Sequence, residues 1–253
     1  MNARRPHPIE ERSYQILRSR VDLSPMPPLW RAVTERVIHA SADLEYAVDL
    51  QTREEYLERG WDALRAGAPI VADVGMVAAG ITARESICHV NDPAAARMAR
   101  AAGITRSAAA VRLSYAEVGP GAVWVVGCAP TALFEIINRR VMPALVIGLP
   151  VGFVGAAESK EALRASGLPQ LSNVSEKGGS AVAAAAANAL LYLEPPGHEP
   201  FTYQPADHEA ANHGLTNHGL TNHGLTNHEA ANHGPAGQQP PDQVQPRHEG
   251  DYW

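Results

Sequence analysis

From position 69 onward, short apolar runs alternate with longer stretches in which apolar residues recur every three or four positions. The runs at 70–73, 86–90, 122–127, 144–148 and 171–174 are apolar-rich and bounded by Gly, Pro, Ser or Asn, so each predicts a buried strand. The intervening periodic stretches predict helices over 75–79, 93–102, 105–117, 130–140, 156–166 and 179–193. Pro93 and Pro130 stand where a first-turn proline is tolerated, and Gly103 and Gly167 stand where helices end. Strands that alternate with helices predict an α/β fold, a three-layer domain with a mostly parallel five-stranded sheet covered on both faces. Upstream, 10–20, 29–40 and 53–65 predict a helical N-terminal extension, the last helix stopping at Gly67 as its C′ residue. The stretch 43–50 is ambiguous and reads as a short edge strand.

In such a sheet the ligand crevice lies beyond the carboxyl ends of the strands. Asp73, 127–131, the glycine turn after 148 and 175–180 are expected to gather there. The run 148–160 (GLPVGFVGAAESK) closes one strand, crosses three glycines and a proline, and opens a helix. Glycine there lets backbone approach a ligand, and the amides at the helix start favour an anion. A tight turn that binds nothing is the competing account, because G-x-P-x-G-x-x-G fits neither the dinucleotide fingerprint nor the phosphate loop.

The tail is a different material. Residues 195–253 are rich in Pro, Gly, Asn and His and nearly free of apolar side chains, which predicts a disordered low-complexity segment appended to a 1–194 domain. Eight of the 11 histidines lie in it, with a five-residue step from His208 to His233. Such a step advances about 140° on a helix, so no face collects the imidazoles. Loose chelation of Co²⁺, Ni²⁺ or Zn²⁺ is its sharper reading, although no carboxylate or Cys is spaced to complete a structural metal site.

The formal charge of −6 also belongs to the tail, since residues 1–194 hold 20 basic and 20 acidic side chains. A neutral domain offers no nucleic-acid or membrane-binding surface. Eighteen of those basic residues are Arg, which suits a polycarboxylate ligand and equally reflects genome composition. Cys88 and Cys128 lie outside any C-x-x-C spacing, in apolar contexts, and read as small buried thiols of a reducing compartment. The charged, Pro-containing opening does not read as a secretory signal, and the apolar run 141–157 is cut too often by Gly and Pro to span a bilayer. A cytoplasmic protein is expected.

Of the remaining histidines, His7 reads as solvent-facing and His89 as a core or edge residue. His39 closes a helix and shares a face with Arg36 three positions earlier, which makes it the candidate catalyst, against a surface or packed imidazole. There is no G-x-S-x-G and no H-E-x-x-H, so hydrolysis by those routes is not expected. Hydroxyl and guanidinium groups recur at helix starts in Thr82-Ala83-Arg84, Thr105-Arg106-Ser107 and Pro130-Thr131. Each serves equally well as an N-cap with nearby charges.

These segments, in order, carry a family resemblance: ERSYQI at 11–16, VIHA at 37–40, GAPI at 67–70, TRSAA at 105–109, APTALF at 129–134, the 148–160 run and GGSA at 178–181. Over about residues 9–194 the chain resembles the precorrin-8X methylmutase family, including its cobalt-precorrin-8 variant, of corrin-ring biosynthesis. The resemblance implies a Rossmann-like homo-oligomer holding a corrin-type tetrapyrrole in a cleft near a subunit interface. It implies an isomerase that moves a methyl group from C-11 to C-12 and needs no organic cofactor. The family's catalytic His matches His39, its substrate contacts match Ser13 and Arg36, and Arg106, Thr105 and Thr131 are further candidates for binding substrate. Cys128, Gly75 and 175–177 depart from the family pattern, which bears on contacts behind the site and not on His39. The competing expectation is a carrier of the same fold that binds a corrinoid without chemistry, its tail buffering metal.

Overall fold

A computed structural model describes residues 8–193, which lie within the first of two compact units, Met1–Glu199. The His-repeat tail, the 194/195 boundary and His7 fall outside the described residues.

Two helices open the chain, α1 (Pro8–Arg20) and α2 (Pro28–Ser41), followed by the single turn α3 (Tyr46–Asp49). Then come β1 (Leu50–Thr52), α4 (Glu54–Arg65), β2 (Ile70–Ala72), α5 (Gly75–Gly80), α6 (Pro93–Ala102), α7 (Arg106–Val118) and β3 (Val123–Val126). The chain continues through α8 (Pro130–Asn138), β4 (Leu145–Gly148), α9 (Ala156–Ala165), β5 (Gln170–Asn173) and α10 (Ser180–Tyr192). The five strands lie in the order β1-β5-β4-β3-β2, parallel throughout except where β1 runs against β5.

Side chains alternate across the strands and so divide the core in two. Val123, Val125, Leu145, Ile147 and Leu171 point to the face covered by α2, α4 and α10. Trp124, Val126, Val71 and Val146 point to the other, covered by α7, α8 and α9 through Val111, Leu133, Ile136 and Leu163. Helix α10 is buried from Val182 to Leu190, five consecutive positions of which are Ala. Small side chains let it lie between the sheet and α2, with no side-chain entropy to lose.

Three expectations need correction. The run 86–90 is no strand: Ile87 makes one parallel bridge to Val71, and the chain then turns into Asp92, which accepts the Ala94 amide at 2.7 Å and caps α6. A capping Asp before a first-turn Pro ends the pairing that the apolar residues suggest. The fifth strand is β1, starting where the ambiguous 43–50 stretch ends, with α3 occupying part of that stretch. The thiols also differ from expectation, Cys128 being exposed and Cys88 partly so. Cys128 stands in the β3–α8 turn, where its backbone amide points inward to Asp73. Among the described residues no helix is long and apolar enough to cross a membrane.

Candidate functional site

Asp73 leaves β2 at the carboxyl edge and is 5% exposed. Its carboxylate accepts the backbone amides of Gly127 (3.1 Å), Cys128 (2.9 Å) and Ala129 (2.8 Å). Burial pushes its pKa up against the pull of those amides. The group is thereby engaged in tying β2 to the β3–α8 turn.

His39 lies in the last turn of α2, whose Val33, Val37 and Ile38 are buried in the core. That anchoring turns the His39 face toward α1. Ser13 Oγ lies 2.9 Å from His39 Nδ1, and the Tyr14 ring stacks on the imidazole with centroids 4.9 Å apart and planes 15° from parallel. One turn back, Arg36 donates to Glu10 and, at 3.3 Å, to the Tyr14 hydroxyl. Burial works against the Arg36 charge, but Tyr14 and Glu10 outweigh it and hold the guanidinium above its ordinary pKa. Arg18 forks onto Glu35 with two bonds of 2.8 Å. Tyr14, Arg18, Glu35, Arg36, Asn188 and Tyr192 line a cleft of about 210 Å³ between α1, α2 and α10. Tyr14 thus separates this cleft from the imidazole it stacks on.

Beyond α2 the edge is built from loops that hold one another. Asp49 accepts the amides of Val174 and Ser175, both at 2.9 Å, and the Ser175 hydroxyl at 2.7 Å. Lys177 bridges Asp43, at 2.6 Å, and Glu45, just past the end of α2. Glu176 accepts the Gly152 amide at 3.1 Å, and Leu149 accepts that of Gly179 at 2.9 Å. The end of α2, the 174–179 loop and the glycine turn are therefore contiguous. They expose an apolar rim, with Phe153 96% accessible, Val48 79% and Val154 72%, joined by Val151 and Val174. A monomer that exposes such a cluster usually uses it for binding.

Ser13, Arg36 and His39 are thus brought together. The Thr105 and Thr131 hydroxyls lie 2.8 Å apart at the starts of α7 and α8, with exposed Arg106 beside them. This second group is on the same edge but across the sheet from α2, and Thr105 also caps α7 by accepting the Ala108 amide at 3.2 Å. Arg84 serves the fold, donating to the Leu64 and Ala68 carbonyls at the end of α4. His89 lies 2.7 Å from Glu117 and 3.6 Å from Asp92, away from the cluster. Sequence reasoning missed Tyr14 and Glu10 as partners of His39 and Arg36. The 10, 13, 14, 36, 39 spacing offered a signal once two adjacent helices were assumed. Among the described residues no group of three or more His, Cys, Asp or Glu is placed to hold a metal ion.

Comparison with known proteins bears on this geometry. Residues 8–193 match the family model described as precorrin-8X methylmutase. The cobalt-precorrin-8 methylmutase of Salmonella typhimurium is 43% identical over 199 residues, covering 74% of this chain and 95% of that protein. The precorrin-8X methylmutase of a Sinorhizobium species is 40% identical over 194 residues, covering 72% and 92%. Among solved structures, a precorrin-8x methyl mutase from Thermus thermophilus superposes with a TM-score of 0.67 at 35% identity, covering 72% of this chain and 93% of that one.

Proposed function

We infer the reaction from a premise now in hand: the chain belongs to the precorrin-8X methylmutase family. It is an isomerase of the methylmutase kind, acting in cobalamin biosynthesis. The reaction proposed is migration of a methyl group from C-11 to C-12 of a precorrin-8X-type macrocycle, giving hydrogenobyrinate or its cobalt form. The C-11–CH₃ bond breaks as the C-12–CH₃ bond forms within one molecule, so no oxidant, reductant or group carrier is consumed.

Such a shift needs no strong nucleophile. It needs control of a proton at a ring nitrogen, so that the rearranged conjugation is the favoured one. Imidazole gains and loses a proton nearest neutral pH, and His39 is the proposed donor and acceptor. The observation that carries this assignment is the Ser13–His39 contact beneath the stacked Tyr14. A Ser13 oxygen accepting from Nδ1–H keeps that nitrogen occupied and leaves Nε2 as the position where the proton comes and goes. Tyr14 fixes the ring plane.

Arg36, supported by Glu10 and Tyr14, is proposed to meet a peripheral carboxylate, alongside Ser13. Thr105, Thr131 and Arg106 offer further polar contacts at the same edge. The cleft of about 210 Å³ is smaller than the roughly 300–1,000 Å³ that a drug-sized ligand occupies. The macrocycle is therefore proposed to lie on the apolar rim, with a second subunit closing over it in a homo-oligomer located in the cytoplasm.

Precorrin-8X carrying a ¹³C-labelled C-11 methyl group tests the proposal by NMR. The label should reappear wholly on C-12 of the product. A label that leaves the molecule, or stays on C-11 while the pigment is held through desalting, would replace the isomerase with another chemistry or with a carrier.

A further inference from the structure

Lys160 is the one lysine among the described residues with no accessible surface, and the proposed reaction does not use it. It lies on α9, within the run that follows the glycine turn. Its ammonium donates to Asn173 Oδ1 at 2.9 Å, to the Lys177 carbonyl at 2.7 Å and to the Ser175 carbonyl. Three donors meet three acceptors, and two of these belong to the backbone of the edge loop. Asn173 extends the arrangement, its amide donating to Asp49 and the Lys177 carbonyl, both at 2.9 Å. Asp49 in turn holds the Val174 and Ser175 amides. The 174–179 loop is thus gripped from beneath by one buried cation, while the side chain of Lys177 reaches across to Asp43 at the end of the His39 helix.

We propose that Lys160 is a positioning residue: by holding the Ser175 and Lys177 carbonyls it sets the 174–179 loop as a wall of the corrin-binding edge. This rests on the reading that the carboxyl edge binds the macrocycle. Lys160 touches no reacting atom, so its effect is expected in KM and not in kcat.

The grip depends on charge. Burial pushes the Lys160 pKa down to about 8; Asp49 and Glu176 oppose that fall and Arg164 adds to it. Arg164 faces the same loop by donating to Ser172 Oγ and the Asn173 carbonyl, and Asp43 and Glu45 face it through Lys177. Above that pH the amine keeps two donors for three acceptors, and one carbonyl is released.

The test uses the full-length wild type and Lys160→Met, read in two ways between pH 6.5 and 9.5. The first is the hydrogen-exchange protection factor of the 173–179 backbone, which needs no activity. In wild type it should fall about tenfold through pH 8, the change that one ordinary hydrogen bond carries. In Lys160→Met it should be low at every pH, with protection in β3 and β4 unchanged. The second is KM for precorrin-8X, which should rise on the same alkaline limb in wild type. In the variant it should be about tenfold higher throughout, without the limb, and with kcat within threefold.

Loop protection that ignores both pH and the substitution would overturn the proposal. So would loosened protection with KM unmoved, because the residue would then serve stability alone. If Lys160→Met does not fold, the wild-type profiles decide by themselves. A wild type that converts neither precorrin-8X nor its cobalt form would refute the proposed reaction and leave the exchange readout to judge the grip.

Discussion

Gly178→Ala is the substitution whose cost the structure sets most directly. Gly178 has φ +150°, a conformation open almost only to glycine. A Cβ built there would lie 2.2 Å from the Leu149 carbonyl oxygen and 2.8 Å from that of Pro150. Both obstacles are backbone leaving β4, so no side-chain rotation relieves them. The two loops must separate, and the Gly179 amide then loses the Leu149 carbonyl it meets at 2.9 Å. Backbone strain of about 1–3 kcal/mol and a hydrogen bond worth about 1 kcal/mol give a destabilisation on the order of 3 kcal/mol. With a urea m-value of about 2–3 kcal/mol/M, the midpoint should fall by roughly 1 M. Gly75→Ala is the control: Gly75 opens α5, has no neighbour within 4 Å of its would-be Cβ, and does not have positive φ. Its midpoint should hold or rise slightly, since Ala exceeds Gly in helix propensity by up to about 1 kcal/mol. Urea titration followed by far-UV circular dichroism reads both. Equal midpoints for Gly178→Ala and wild type would refute the steric reasoning.

Further predictions concern the site, acid stability and the tail. Ser13→Ala, which frees Nδ1 of His39, should lower kcat about tenfold, less than the roughly 10²–10⁴ attributed to a general acid–base itself; an unchanged kcat and pH profile would remove Ser13 from the proton's control. Glu135 is held below the ordinary glutamate pKa: burial alone would raise it, but the Arg112 and Arg139 guanidiniums at 2.6 and 2.9 Å prevail. A depressed carboxylate adds stability that is present above its unfolded pKa of about 4.3 and is lost as pH falls through the folded value. The stability gap between wild type and Glu135→Gln should therefore be widest near neutrality and close below about pH 4, as read by thermal melts across pH. Deleting residues 195–253 should leave kcat/KM within twofold, because the family match ends at residue 193; a large loss would bring the metal-handling reading of the tail back.

The helices and central strands were legible because burial on both faces leaves an unbroken apolar signature. Val123–Val126 and Leu145–Gly148 carry it, as does the alanine run of α10. Strand β1 was displaced because three residues are too few to show a period. The run 86–90 misled because composition reports apolar surface and not the cap at Asp92 that ends pairing. Within the site, pattern alone brought out His39 beside Arg36, whereas Ser13 came from the family resemblance. The Lys160–Asn173–Asp49 arrangement was illegible, since its members are separated by up to 124 positions and a buried lysine looks like any other in sequence. The thiol at Cys128 was misjudged for a related reason: which way a turn residue faces depends on the Asp73 grip on its backbone.

The central claim, that His39 handles the proton of a methyl migration, is tested most directly by the visible spectrum of precorrin-8X incubated with wild type and, in parallel, with His39→Ala. The account predicts conversion to the hydrogenobyrinate spectrum by wild type and at least a hundredfold slower conversion by the variant, with the pigment still bound. Equal conversion by both proteins would contradict it.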